Sequence, residues 1–387
     1  MKQVAINRRP RVLHIGKFYP PYKGGMETHI QDLCHSISPF ADVSVLVSNN
    51  GKHTIHEFDR EIPVHRIGSW ANLASAPISP GMVRAIRRTP ADIVHLHCPN
   101  PTAVLSFLAS GHRGKVVITY QSDIIRQKVL RYAYEPLFNR LAARADAIVC
   151  LSPNYIETSS MLSKFREKCH VIPHGIDPQR FANVDHQKIK EIRQRYGDRI
   201  VLGVGRLVYY KGFEYLIRAI AGTHATLLII GTGPLHDQLQ ELARDCGVAD
   251  RVHLLGEVDD VIPYYHAARV FSLPSVARSE AFGIVQLEAM ACGTPVVNTR
   301  LESGVPFVSL DGVSGRTIPP ADAAALQRAI TSILDNVHLH ARFSDGGRER
   351  VRQLFTVDSM SKKTLQLYEK VLGNVPVAIE NPELATV

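Results

Sequence analysis

The stretch Ser279–Val297, SEAFGIVQLEAMACGTPVV, sets two carboxylates, Glu280 and Glu288, around a small-residue turn and ahead of a Gly-Thr-Pro break. Further upstream, Arg206 and Lys211 flank the turn in 203-GVGRLVYYKGFEYLIRAI-220. Carboxylates accept hydrogen bonds from vicinal hydroxyl pairs, the groups that sugars and riboses offer. Two cations beside the freed amides of a helix start suit a diphosphate, whose departure develops negative charge. Taken singly, these residues have plainer readings. Acids in a first helical turn complement the dipole, and a surface Arg and Lys are ordinarily solvated.

A third candidate is 16-GKFYPPYKGGMETHIQDLCHSI-37, where Gly24-Gly25 opens a helix with Met26, Ile30, Leu33 and Ile37 on one face. It is either an anion seat or a tight turn, and it is not the G-x-G-x-x-G of a dinucleotide site. His95 and His97 in 92-DIVHLHCP point to one face of a strand end, but third and fourth metal ligands are not near in sequence, so no metal is expected. The turn 231-GTGP and the pair Asp259-Asp260 read as turn chemistry and solvated charge.

These groups need rigid elements to hold them. Short apolar, β-branched runs recur, each followed by a helical pattern: 11-RVLHIG, 43-VSVLV, 92-DIVHLH, 116-VVITY, 147-AIVCLS and 170-HVIP, then 199-RIVLGVG, 225-ATLLIIG, 252-VHLLG, 269-RVFSLP and 295-PVVNT. Such runs mark strands buried on both faces, so the alternation predicts an α/β protein with parallel, doubly wound sheets. The pattern restarts near residue 199 after a polar stretch, and 387 residues suit two Rossmann-like domains in tandem. The expected boundaries are 1–178 and 179–358, with a helix over 359–372 whose Met360, Leu367, Tyr368 and Val371 form one stripe, and a disordered tail over 373–387. In open α/β sheets ligands bind beyond the carboxyl ends of the strands, which places the expected site in an interdomain cleft.

Composition narrows the partners. Hydrophobic content of 45% with 21% charged residues excludes a disordered or fibrous chain. No run reaches the length of a membrane span, and the first residues lack the apolar stretch of a signal peptide, so a cytoplasmic protein is expected. The six cysteines show no C-x-x-C pair and read as reduced thiols. The net charge of +9 sits in the first half, where residues 1–180 carry 23 Lys and Arg against 13 Asp and Glu, in clusters such as Arg84/Arg87/Arg88 and Arg126/Lys128/Arg131. Without a nucleic-acid reading motif or interleaved aromatics, that excess favours an anionic membrane surface or a lipid diphosphate over nucleic acid.

Taken together, the G-G-M-E near the start, R-x4-K over 206–211 and E-x7-E over 280–288 resemble the retaining glycosyltransferases of family 4, with their two-domain GT-B fold. The stretches 173-PHGID-177, 231-GTGP-234 and 288-EAMACGTPVV-297 support the resemblance, which covers nearly the whole chain. It implies that Arg206 and Lys211 hold the donor diphosphate and that Glu288 binds the nucleotide ribose. Glu280 would then bind donor-sugar hydroxyls beside the amides of Phe282, Gly283 and Ile284. Gly24, Gly25 and Glu27 would face the cleft from the acceptor side, His97, Gln121 and Asp123 would be further acceptor or cleft residues, and the last helix would pack back on the first domain. Where many relatives read T-Y-H-S-D, with a histidine that touches the donor sugar, this chain reads 119-TYQSD-123; Gln121 keeps hydrogen-bonding capacity but cannot titrate, which counts against a histidine base at that point.

The reaction so implied is metal-independent transfer of a hexose, with retention, from a nucleotide diphosphate sugar to a saccharide acceptor, without a cofactor. Likeness to bacterial polysaccharide mannosyl- and rhamnosyltransferases favours a GDP-mannose type of donor, then a UDP-sugar. The acceptor would be lipid-diphosphate-linked, with peripheral contact to anionic membrane. Three rivals predict different outcomes. A glycoside hydrolase ignores nucleotide and needs two carboxyl groups about 5 to 9.5 Å apart. A sugar-nucleotide epimerase converts donor alone, and a binding protein shows no turnover.

Overall fold

Sixteen strands appear among the described residues, which are 8–22, 24–73, 76–123 and 128–373 of the computed structural model. Residues 374–387 of the expected 373–387 tail and Arg126 lie outside them, as do the side chains of Lys128 and Arg131. In the first half, β1 (Arg11–Ile15), β2 (Asp42–Ser48), β3 (Ile55–Asp59) and β4 (Ile62–Ile67) are followed by a small hairpin, β5 (Ala71–Leu73) and β6 (Ala76–Ile78). The remaining strands there are β7 (Ile93–Cys98), β8 (Lys115–Tyr120), β9 (Ala147–Cys150) and β10 (Cys169–Val171). Eight of them form one sheet in the order β10-β9-β8-β7-β1-β2-β4-β3, parallel throughout except for the β3 edge.

The second half contributes β11 (Ile200–Val204), β12 (Thr226–Ile230), β13 (Val252–Gly256), β14 (Val270–Leu273), β15 (Val296–Thr299) and β16 (Gly315–Ile318). These make an all-parallel sheet ordered β13-β12-β11-β14-β15-β16. Both sheets thus have the doubly wound α/β architecture expected from the apolar runs, and the chain consists of two Rossmann-like α/β domains. Each sheet also has a point where strand order reverses. In the first, the chain builds outward from β1 through β2 and returns to lay β7 against β1. In the second, β11 is flanked by β12 on one side and by β14 on the other.

Two compact units follow these sheets: residues 1–151, 159–175 and 357–387, and residues 152–158 and 176–356. The last helix, Val357–Leu372, belongs to the first unit and packs on the helix Gly25–Ile37. Its Met360, Leu367 and Tyr368 are buried, and Val371 is packed at the margin of the same core. In the second unit, Phe213, Leu216, Ile217 and Ile220 are all buried against β11 and β12 residues, as a 3.6-residue stripe must be.

Some elements lie outside the sequence reading. β3 is largely exposed and polar, and β4 alternates through Pro63 and His65, so neither presents an apolar run. The helix after Glu280 spans Val285–Ala291 and begins later than the expected start near Phe282-Gly283. Gly283 takes φ 75°, in the left-handed region, which breaks the helical path just before it. The six cysteines are free.

Candidate functional site

The second unit gathers its candidates at the β11/β14 reversal. The loop after β11 carries Arg206, which is exposed, and Lys211, which is buried. The loop after β14 carries Glu280, also buried. Lys211 Nζ lies 2.6 Å from Glu280 Oε2, with the two side chains only 11% and 10% exposed. The Ser275 hydroxyl donates to the same carboxylate oxygen at 3.2 Å. Two sequence signals far apart in the chain therefore form one ion pair, inside a single unit and at the strand ends where α/β sheets bind ligands. The turn 231-GTGP supports this loop from below. Leu207 N–H donates to Thr232 O at 2.9 Å, and a Cβ on Gly231 would sit 2.1 Å from Gly205 O, so only glycine permits the approach.

The loop between Glu280 and the helix is fixed from beneath. Buried Gln286 donates to Phe282 O at 3.1 Å and accepts from Asn298 Nδ2 at 2.8 Å. Phe282 has its ring in the core, so only its backbone is left to meet a ligand. Glu288 takes a 2.7 Å hydrogen bond from the Tyr265 hydroxyl. Burial raises the Glu288 pKa above the usual carboxylate value, against the opposing pull of Tyr265 and of Arg180. Glu280 and Glu288 thus occupy different environments. One is an ion-pair partner at the reversal point, the other a tyrosine-held acceptor on the helix.

The first-unit candidates divide. Gly24 and Gly25 open the first helix and are exposed, whereas Glu27 is buried with its carboxylate against its own backbone N–H. Burial raises the Glu27 pKa, with Lys17 opposing. Gln121, just past β8, donates its backbone N–H to Cys98 O at 2.9 Å, and its buried Nε2 has no partner among the described residues. Asp123 accepts from the Tyr120 hydroxyl and, at 2.8 Å, from Ser159. His97, near the end of β7, is fully buried.

The metal expectation for His95 and His97 rested on the want of a third ligand nearby, and there the structure differs. Parallel register sets His14 of β1 directly across from His95, and the candidate ligand atoms of His14, His95 and His97 lie within 4.8 Å of one another. A further pair, His29 and His174, is joined through their Nδ1 atoms at 2.6 Å. Sequence reading missed His14, His29 and His174 because they lie far apart in the chain, on β1, on the first helix and in the loop after β10; only the tertiary fold brings them beside His95 and His97.

Comparison with known proteins shows the family. Residues 23–180 match the model for Glycosyltransferase Family 4, and residues 185–350 match that for Glycosyl transferases group 1. The chain is 35% identical over 353 residues to D-rhamnosyltransferase WbpZ of Pseudomonas aeruginosa, covering 89% of this chain and 92% of that one. It is 32% identical over 373 residues to O-antigen chain mannosyltransferase C of Escherichia coli, covering 94% and 99%. Among solved structures, a sucrose-phosphate synthase from Thermosynechococcus elongatus superposes with a TM-score of 0.81 at 23% identity, covering 95% of this chain and 100% of that one. Anabaena Alr3699/HepE in complex with UDP-glucose superposes with a TM-score of 0.77 at 20% identity, covering 94% and 100%. At such identities the last two speak for the fold alone.

Proposed function

From the premise that the chain belongs to the family 4 and group 1 glycosyltransferases, and is a glycosyltransferase enzyme, we propose that it moves a hexose from a nucleotide diphosphate sugar to a saccharide acceptor in O-antigen or lipopolysaccharide-type synthesis. A GDP-mannose type of donor comes first and a UDP-sugar next, because one relative is named a mannosyltransferase and another a D-rhamnosyltransferase. The observation that carries the reading is the Lys211–Glu280 pair at the β11/β14 reversal. It puts a cation for diphosphate and a carboxylate for sugar hydroxyls at one point.

In the reaction, the bond from the sugar anomeric carbon to the diphosphate oxygen breaks, and a bond from the acceptor oxygen to that carbon forms on the same face. The acceptor proton passes to a phosphate oxygen, and nucleoside diphosphate leaves. Arg206 and Lys211 stabilise the charge that develops on the diphosphate, in the place a metal ion would otherwise take. Glu280 orients the sugar, and Glu288 accepts from the ribose hydroxyls, with Phe282, Gly283 and Ile284 offering backbone amides. Gly24, Gly25, Glu27, His97, Gln121 and Asp123 serve the acceptor. That acceptor is lipid-diphosphate-linked, and the basic excess of residues 1–180 favours work at the inner face of the cytoplasmic membrane. Among the described residues no helix is long and apolar enough to cross a membrane.

A thermal-shift screen across UDP-, GDP-, ADP- and dTDP-sugars tests the donor, and the expected result is stabilisation by GDP-mannose above the others. Product analysis with each donor then checks retention, and turnover should survive EDTA. Stabilisation by none of these donors, or activity lost to EDTA and restored by Mn2+, would contradict the proposal.

A further inference from the structure

The first unit contains a buried hydrogen-bond chain that the donor chemistry of the second unit does not use. His14 on β1, His95 and His97 on β7, Thr119 on β8 and Tyr368 on the last helix are each at most 1% exposed. Thr119 Oγ1 lies 2.7 Å from His95 Nε2, and His95 Nδ1 lies 2.6 Å from the Tyr368 hydroxyl. That hydroxyl is 3.4 Å from His14 Nε2, and His14 Nδ1 is 3.1 Å from His97 Nε2. The chain then stops. Among the described residues, His97 Nδ1 is buried and has no partner, and neither has Nε2 of His29, whose ring stands edge-on to His97 at 5.7 Å.

Counting donors gives the chain a direction. Burial keeps all three rings neutral, so each carries one N–H. If Thr119 donates to His95 Nε2, then His95 Nδ1–H donates to Tyr368, the Tyr368 O–H to His14 Nε2, and His14 Nδ1–H to His97 Nε2. The single proton of His97 must then sit on Nδ1. Run the other way, the chain strands the Thr119 O–H at one end and a bare lone pair at the other, two unsatisfied groups instead of one. A metal ion on the same three rings would have to break this chain, because five of their six nitrogens already hold partners.

We propose that Thr119, His95, Tyr368 and His14 lock His97 in its Nδ1–H tautomer, making Nδ1 a hydrogen-bond donor reserved for an oxygen of the bound saccharide. Position supports the ligand. β1 and β7 adjoin at the reversal of the first sheet, and His97 is the last histidine before β7 ends at its carboxyl end. An Nδ1 that already carries its proton cannot accept another, so His97 orients a hydroxyl or ring oxygen and does not act as base. Tyr368 and His14 are positioning residues, and through them the last helix sets the chemistry of a strand end. The word saccharide rests on the glycosyl-transfer reading; the tautomer lock does not.

Long-range 1H–15N NMR on histidine-labelled protein, with signals assigned through His97→Asn and His14→Asn, reads each tautomer directly. The lock predicts protonated Nδ1 and bare Nε2 on both His97 and His14 from pH 6 to 8. In Tyr368→Phe, folded by circular dichroism, both should become mixtures. Thr119→Val removes only the first donor and supplies the same readout if the tyrosine variant does not fold. An Nε2–H form of His97 in the wild type, or unchanged tautomers in both variants, would overturn the lock. In transfer assays His97→Asn, whose amide N–H lies where Nδ1–H does, should retain about tenfold more kcat/KM for the acceptor than His97→Gln, the ratio one hydrogen bond sustains. Equal loss in the two, with the NMR as predicted, would remove the saccharide and leave the lock.

Discussion

Lys211 and Glu280 are worth more as a pair than as two charges. With both side chains about nine-tenths buried, removing one leaves the other desolvated and uncompensated, a loss of about 3 kcal/mol. Lys211→Met should therefore lower the urea midpoint and also remove diphosphate stabilisation, with kcat down by about 100-fold or more. Glu280→Ala should mainly lower turnover. Lys211→Met combined with Glu280→Leu separates the two effects: stability should largely return while turnover does not. Glu288 behaves differently. Its raised pKa, set first by burial, means that the carboxylate protonates above the ordinary carboxylate range. Nucleotide affinity measured by calorimetry should therefore be full near neutrality, weaken as pH falls through that raised value, and be weak at every pH in Glu288→Ala. Equal and negligible effects of Glu280→Ala and Glu288→Ala on turnover and nucleotide affinity would leave the ion pair and the Tyr265 contact as purely structural features.

The loop and helix that carry these acids depend on Gly283. Its φ of 75° suits glycine, and a Cβ there would lie 2.6 Å from Leu273 Cδ2 and 2.8 Å from Gln286 Nε2. Gly283→Ala should cost about 2 kcal/mol in denaturant unfolding, the left-handed conformation alone accounting for half or more. It should also weaken nucleotide binding by displacing the loop; wild-type stability and affinity would show that the loop has slack. The motif was legible in sequence, because a glycine between two acids and ahead of an apolar helix is a local signal. So were eleven of the strands, each from an apolar run, and the stripe of the last helix. What escaped was non-local or locally unremarkable. β3 lies exposed at an edge, and β16, Gly315–Ile318, is broken by Arg316 and Thr317 and shows no apolar run. His14 faces His95 only through β1/β7 register, and no spacing along the chain encodes it.

The histidine cluster also sets how the molecule meets acid. Burial drives the pKa of His14 and of His29 down to about 3 and holds His95, His97 and His174 well below their ordinary value. The groups packed around them are largely one another, with Tyr368 on the last helix and Thr119 on β8. In the folded state these rings stay neutral, while in the unfolded chain each titrates near 6.5, so the unfolded state binds more protons below that value. Their contribution is fully present above pH 6.5 and is lost as pH falls toward 3. The slope is about 1.4 kcal/mol per pH unit for each ring, so at pH 5 each has removed roughly 2 kcal/mol. Several such rings together approach the whole stability of an ordinary domain, about 5 to 15 kcal/mol. Hydrogen exchange should therefore show protection collapsing in β1, β7 and β8 between pH 6.5 and 5, while β11, β12 and β14 of the second unit hold. His174→Gln, which stays neutral at every pH, should flatten the first unit's stability slope by one proton's worth. An unchanged slope would mean that His174 titrates alike in the folded and unfolded chain, and that burial does not hold it neutral.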